Sequence, residues 1–232
     1  MNVSAEILGL YIGAAKHRWE GKSPSAIGKS LAERPLQLTQ TGFEGDEQAD
    51  LTVHGGPEKA LHHYSADHMS AWREEFPEKA EFFQPGCFGE NISSRGLDEN
   101  NLCLGDVLTM GTAKVQICQG RQPCWKLSLH TDLPQMAARF QKTGRTGWYY
   151  RVIEAGMVQA GDTMSVIERP HDQWVLAKLI KARFNPKLDA AVAEELSKIP
   201  SLSQNWQASF VKKMNAGFKE DASRRLLGDT AP

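Results

Sequence analysis

The sequence has few cysteines and no long apolar run. Its four cysteines lie singly, without the closely spaced pairs that are typical of zinc knuckles or redox dithiols. No apolar stretch is long enough to cross a bilayer, and the N-terminus lacks the basic and apolar regions of a signal peptide. These absences favour a cytoplasmic protein with reduced thiols and no membrane attachment.

The sequence also has no large excess of positive or negative charge. The 232 residues carry 27 Lys and Arg against 28 Asp and Glu, which gives a formal net charge of −1. A chain with this balance has no global basic field, so we do not expect it to bind a nucleic-acid polymer. Its length allows one large domain, or one domain with a small appendage.

Short strands are predicted along the first two thirds of the chain. Residues 7–13 are predicted to form a strand with apolar side chains on both faces. Alternating apolar side chains predict a strand at residues 36–39 and several more across residues 102–118, where glycines separate them. Residues 163–167 are expected to close the sheet. Asp132 is predicted to cap a helix that begins just after it. This density of short strands and glycines favours a barrel or a sandwich.

After Pro170 the apolar period becomes helical. It predicts three short helices, with Ser203 as the N-cap of the third. We therefore predict two domains, a mainly β domain with helices over residues 1–168 and an all-α domain over residues 171–228. A bundle of this size is near the lower limit for folding alone.

One cysteine, Cys124, lies between two cations, Arg121 and Lys126. Pro123 precedes it and an apolar-periodic segment follows, which predicts a corner between a loop and a helix. The cations and the positive end of the helix both favour the thiolate, the form that attacks substrates or binds metals. The alternative interpretation is a small buried hydrophobe, as most free cysteines are.

A polar tract and a pair of glycines precede a predicted strand. Residues 42–50 are rich in acids and amides, and Gly55 and Gly56 stand before a proline, where the backbone can approach a ligand closely. The alternative is a surface turn with solvated acids. His62 and His63 follow in the strand, where neighbouring side chains face opposite sides, so they are poorly placed to share one metal ion.

Six short motifs occur in order along the chain. They are SAIGK at 25–29, GDEQAD at 45–50, VHGGP at 53–57, FGEN at 88–91, GD at 105–106 and RQPCWKL at 121–127. With the helical C-terminal part, this ordered set resembles the MOSC family, named after the C-terminal domain of molybdenum cofactor sulfurase. It resembles most closely the YiiM-type members of that family. The resemblance implies a MOSC-like β-barrel domain followed by a small three-helix domain.

The resemblance also implies a molybdenum cofactor whose metal is ligated by Cys124, a soft thiolate on a soft metal centre. The cofactor carries a phosphate and a pterin, which call for cations, backbone N–H groups and hydrogen-bonding side chains. The cofactor-binding candidates of these types are Lys29, Asp46, His54, Gly55, Gly56, Asn91, Arg121 and Lys126. For Asp46, and for Glu90 and Asp106 in the motifs, the alternative role is to fix loops through bonds to the backbone.

The activity that the resemblance implies is reduction of N-hydroxylated small molecules, such as hydroxylaminopurine-type base analogues. The sequence has no flavin or nicotinamide fingerprint and no iron–sulfur cysteine set, so we expect electrons from a separate flavin or iron–sulfur reductase. Cys124 and His54 are the candidate catalytic residues, His54 as proton donor because histidine titrates near neutrality.

Two other functions stay open at this point. One is sulfur transfer through a persulfide on Cys124, which would suit the same thiolate environment. The other is a non-catalytic carrier that hands the molybdenum cofactor to another enzyme. If the chain self-associates, a homodimer is expected, because most soluble homo-oligomers are dimers.

Overall fold

The computed structural model describes residues 3–50, 55–215, 218 and 220–228. Its strands are β1 (Ser4–Ile12), β2 (Ser30–Leu31), β3 (Leu36–Thr39), β4 (Gly42–Phe43), β5 (Leu61–Ser65), β6 (Ile92–Ser94), β7 (Val107–Met110), β8 (Ala113–Gly120), β9 (Trp148–Glu154), β10 (Gly156–Val158) and β11 (Thr163–Glu168). The strand predicted at residues 36–39 is confirmed, with Leu36 and Leu38 buried in alternation.

Seven of these strands form a closed barrel, in the order β1, β11, β7, β8, β9, β5 and β6, with β6 paired back to β1. All of these pairs are antiparallel except β5 with β6. Closure is made by β11, which pairs Met164 with Ala5 and Ser165 with Ser4 of the first strand. This confirms that residues 163–167 close the sheet. A separate small sheet contains β10, β3 and β4.

Part of the predicted strand run across residues 102–118 is instead a loop. Residue Cys103 makes only an isolated bridge, to Val175. The Cys103 N–H donates to the carboxylate of Asp106 over 2.9 Å, which turns the chain just before β7 begins. The regular strands β7 and β8 follow from Val107 onward.

The described residues of the barrel region form three α-helices: α1 (Met69–Glu75), α2 (Trp125–Thr131) and α3 (Met136–Thr143). They pack around an aromatic cluster that includes Trp72, Phe88 and Phe140. The prediction that Asp132 caps the start of a helix is wrong. Asp132 adopts the left-handed conformation, with φ 54°, and ends α2. Its short polar side chain tolerates that conformation better than most.

The described residues after Pro170 hold three longer helices, α4 (Leu176–Phe184), α5 (Ala190–Ser197) and α6 (Gln204–Lys213), and a short one, α7 (Ser223–Leu227). We call these four the helical tail. Ser203 caps α6 as predicted, since its Oγ accepts the Trp206 N–H over 3.3 Å. No helix in the described part of the chain is long and apolar enough to cross a membrane.

The helical tail shares its apolar core with the barrel. Ile180 and Trp206 belong to the same buried cluster as barrel residues such as Ile117. Gly120 makes this packing possible, because a Cβ there would meet Ile180 at 2.5 Å and the Trp206 ring at 3.0 Å. Burying a side chain of this kind contributes about 1.5–3 kcal/mol or more, so the tail and the barrel stabilise one another.

Candidate functional site

Cys124 lies at the corner that the sequence predicts. Strand β8 ends at Gly120, an extended segment follows, and Cys124 is the N-cap of α2 with φ −131° and ψ 167°. Proline at 123 suits the turn out of the sheet, and the buried Leu127 anchors the first helical turn. The thiol is half-buried and lines a cavity that we call the Cys124 cavity.

Most of the predicted site residues line this cavity together. Four separate stretches of chain, which are far apart in sequence, contribute them. The predicted residues on its wall are Lys29, Asp46, Asn91, Arg121, Cys124 and Lys126. Gly55 and Gly56 lie just before the 3-10 turn Pro57–Lys59 and are not on the wall formed by the described residues. His54 lies outside the described residues.

A buried ion pair stands on one side of the cavity. Lys29 Nζ donates to Asp46, and the two side chains are only 7% and 2% exposed. The same carboxylate accepts the Gly13 N–H and an Asn91 N–H, each over 2.8 Å. Asn91 is in turn fixed by its Oδ1, which accepts the His62 N–H over 3.1 Å. Burial lowers the pKa of Lys29, and Asp46 opposes that shift.

Two more buried cations of the wall come from the segment that carries the thiol. Arg121 donates through one guanidinium nitrogen to the Phe88 carbonyl over 2.7 Å. Lys126 Nζ donates to the Pro24 carbonyl over 2.9 Å. Each bond fixes its side chain and uses only one N–H donor. Further donors can bind a ligand, because guanidinium offers five N–H groups and ammonium three. The wall carries Lys59 as a fourth cation.

The net charge of the wall is positive. Against its four cations, the described wall residues include two carboxylates, Asp46 and Glu47. Each carboxylate is bonded to backbone, Glu47 to the Ala15 N–H over 2.8 Å and Asp46 to the Gly13 N–H. A concave wall with this charge favours an anionic ligand.

Two acids in the motifs fix loops. Glu90 is fully buried and accepts the Gly86 and Phe88 N–H groups, which shapes the loop before β6. Burial raises the pKa of Glu90. Asp106 is likewise buried and accepts both the Cys103 N–H and the Arg169 guanidinium. These contacts support the loop-fixing role for both acids.

Several side chains on the wall are outside the predicted set, among them Lys59, His62 and Tyr149; the last two are neighbours. Their rings lie 5.1 Å apart. Burial, helped by the charge of Arg121, lowers the pKa of His62 well below its ordinary value, so its imidazole is neutral at pH 7. The neighbouring His63 faces the core, where it bonds Tyr150 and Ser94. The sequence signal that could have found His62 is the alternation of side chains along a strand, which places His62 and His63 on opposite faces of β5.

The other cysteines differ from Cys124 in their surroundings. Cys118 is fully buried, and burial raises the pKa of its thiol to about 12. Burial also raises the pKa of Cys103, and raises that of Cys87 well above its ordinary value. All three are held as thiols at neutral pH, the form that neither attacks nor ligates. No group of three or more metal-ligating His, Cys, Asp or Glu side chains occurs among the described residues.

Comparison with known proteins identifies the family. The MOSC domain matches residues 50–165, and the YiiM-like 3-alpha helix domain matches residues 174–217. The chain therefore belongs to the MOSC-domain family. Within that family it is similar to Protein YiiM of Escherichia coli K12, at 42% identity over 219 residues, or 94% of this chain and 97% of that protein.

Two further relatives match this chain over different shares of their own length. The crystal structure of YiiM from Geobacillus stearothermophilus has a TM-score of 0.77 and 29% identity, and the match covers 91% of this chain and 100% of that one. A protein named reductase from Gibberella moniliformis is 36% identical over 167 residues, 70% of this chain and 30% of that protein. The family and the fold class, a β-barrel with a C-terminal helical domain, are thereby confirmed; the domain boundaries at residues 168 and 171 stay predictions.

Proposed function

We propose that this protein binds a molybdenum cofactor through Cys124 and reduces N-hydroxylated small molecules, such as hydroxylaminopurine-type bases. The observation that carries the proposal is the half-buried thiol of Cys124 on a concave wall with four cations. The MOSC domain, which matches this part of the chain, is associated with binding of that cofactor.

The residues on the wall fit such a group. A molybdenum cofactor presents a soft metal, a phosphate and a polar ring, and the wall offers one thiol, several cations and hydrogen-bonding groups. Cys124 would ligate the metal, and Lys29, Arg121 and Lys126 would bind the phosphate. Gly55 and Gly56 lie outside that wall, shortly before Lys59, and would bring backbone N–H groups to the cofactor. Bound there, the cofactor would supply the redox chemistry that removes the oxygen of an N–O bond.

Asp46 and Asn91 would act on the cofactor at its polar ring and through Lys29. Their side chains are bonded to each other and to backbone, so they hold the Lys29 ammonium at the wall. A cation held in this way can meet a phosphate without further ordering. Replacing either residue is therefore expected to weaken cofactor retention more than the binding of substrate.

The residue that delivers the proton must itself carry a transferable proton near neutral pH. His62 is unsuited to donate a proton, because its lowered pKa keeps the imidazole neutral at pH 7. His54 remains the proposed donor. The test compares His54→Gln with His17→Gln, which changes an exposed histidine: loss of turnover and a changed pH profile are expected only in the first. Unchanged turnover in His54→Gln would remove His54 from the reaction.

Electrons would come from a separate flavin or iron–sulfur reductase, since the sequence has no fingerprint for either cofactor. The relative named reductase supports an oxidoreductase function, and that protein is much longer than this chain. Purified flavin reductases and iron–sulfur reductases supplied one at a time would identify the class of donor.

The deciding experiment measures molybdenum and pterin in protein made in a host that synthesises the cofactor. Wild type, Cys124→Ala and the matched control Cys87→Ala are compared. We expect near-stoichiometric metal in wild type and control, and none in Cys124→Ala. The loaded protein should then reduce an N-hydroxylated purine with a supplied donor. Metal retained in Cys124→Ala would refute the ligand, and cyanide-releasable sulfur without metal would indicate sulfur transfer instead.

A further inference from the structure

Cys124 stands between two compartments. Besides the Cys124 cavity, a second cleft runs between the barrel and the helical tail, and we call it the tail cleft. Four residues, Lys59, Cys124, Lys126 and Tyr149, line both. A group bound to the thiol from the first compartment would therefore be reached from the second.

The tail cleft is rich in cations. Lys59 and Lys126 are on its barrel side, and Arg183, Arg224 and Arg225 are on its tail side. The described lining has two acids, Asp50 and Asp221, against these five cations. The excess of positive charge favours an anionic ligand.

The three arginines differ in what they contact. Arg183 is paired with Glu220, at 2.5 and 3.0 Å. Arg225 donates to the Pro123 carbonyl, just before Cys124, and to Gln141. The Arg224 side chain is exposed and makes no hydrogen bond or ion pair with the residues that the structure describes. Arg225 thus holds the cysteine segment, and Arg224 is the cation that can turn to a ligand.

The cleft also has aromatic walls and unused hydrogen-bonding groups. Trp125, Tyr149 and Trp206 line it, and Trp125 is only half-buried. Buried polar atoms without a partner in the described structure occur on Gln119, Arg183 and Trp206 at its wall. Such atoms are costly to leave unpaired, and a ligand with a polar edge would satisfy them once the side chains turn to it.

We propose that the tail cleft is the substrate compartment, and that it binds a planar aromatic ring carrying a phosphate monoester, a nucleoside monophosphate in chemical class. The ring packs against the aromatic wall, and the phosphate meets Arg224. Calling this ligand the substrate rests on the proposed function. The binding of this ligand to the tail cleft does not depend on the proposed function, because the cleft is formed by side chains of this chain alone.

Binding to the full chain tests the assignment by calorimetry with two probes, purine riboside and purine riboside 5′-monophosphate. We expect the monophosphate to bind about 5- to 10-fold more tightly, the effect of one charge-assisted contact near the surface. Arg224→Gln should abolish this preference and Arg224→Lys should keep part of it. The matched control Arg34→Gln changes another exposed arginine, away from the cleft, and should keep all of it.

The outcomes separate this proposal from the proposed function. Equal binding of the two probes to wild type, or a preference that survives Arg224→Gln, would overturn the tail cleft as a phosphate site. A preference lost only in Lys29→Gln would overturn it too, since the phosphate would then bind in the Cys124 cavity. A preference that depends on Arg224 in a protein that reduces no N-hydroxylated compound would leave the cleft in place and refute the reductase.

Discussion

Replacing Asp46 with asparagine removes the negative partner of a buried lysine and keeps the size of the side chain. Lys29 and Asp46 are 7% and 2% exposed, so water cannot take over the lost charge. Removing one partner of a buried ion pair costs about 3–5 kcal/mol, because the other charge stays buried. The asparagine oxygen can still accept the Gly13 N–H. We expect Asp46→Asn to lower the free energy of unfolding by roughly 3 kcal/mol at pH 7.

The sign of the pH dependence follows from Lys29. Burial lowers its pKa from 10.5 even with Asp46 present, and without Asp46 the pKa falls further. Between the lowered pKa and 10.5 the unfolded chain binds more protons than the folded chain, so stability from this group rises with pH. Because the pKa of Lys29 is lower still in Asp46→Asn, this rise in stability begins at a lower pH in the variant than in wild type. Its deficit against wild type should therefore be largest near neutrality and shrink as the pH rises toward 10.5.

Urea unfolding of cofactor-free protein, followed by tryptophan fluorescence, measures both effects. The double variant Lys29→Met with Asp46→Asn is the matched control, because neither charge of the pair remains and most of the stability should return. A loss below about 1 kcal/mol in Asp46→Asn, the scale of an exposed pair, would refute the buried ion pair. So would a deficit that grows with pH.

Three other changes test the cysteines and the packing of the tail. Iodoacetamide followed by peptide mass spectrometry should modify the half-buried Cys124 at pH 8 and leave Cys118, whose pKa is about 12, unmodified until the protein unfolds. Ser203→Ala should lower the free energy of unfolding by about 1 kcal/mol, and Ser203→Asp should retain it, because either oxygen can cap α6; equal losses in a urea titration would contradict the cap. Trp206→Ala should cost about 3–5 kcal/mol and leave a single transition by circular dichroism and fluorescence, whereas a separate early melting of the tail would disprove the shared core.

Much of the local structure was predictable because it depends on neighbours in the chain. Alternating leucines predict the strand at residues 36–39, and a hydroxyl before an apolar helical period predicts the cap at Ser203. Proline before Cys124 and an apolar period after it predict the corner. Asp132 shows the limit of such signals. The same side chain suits a helix start and a left-handed helix end, and the position of the next helix decides between them.

The candidate site was predicted in its residue types and only partly in its members. Ordered motifs indicated the thiol, three of the four cations and the Asp46 carboxylate on the wall of the Cys124 cavity. Lys59 lies outside the motifs. Tyr149 was missed, because nothing near it in sequence distinguishes a strand tyrosine at a cavity from one in a core. Its place on the wall depends on the register of β9 with β5, which pairs it with His62.

The sequence by itself determined the family, most of the local elements and the residue types around Cys124. The tertiary structure decided which distant segments meet. Ser4 pairs with Ser165 to close the barrel, and the Gln204 N–H donates to Glu58 where the tail joins it. Such contacts depend on burial summed over the whole core and on the closure of long loops, and no window of neighbouring residues contains that information. For the same reason, only the folded chain shows that Cys124 opens to two compartments.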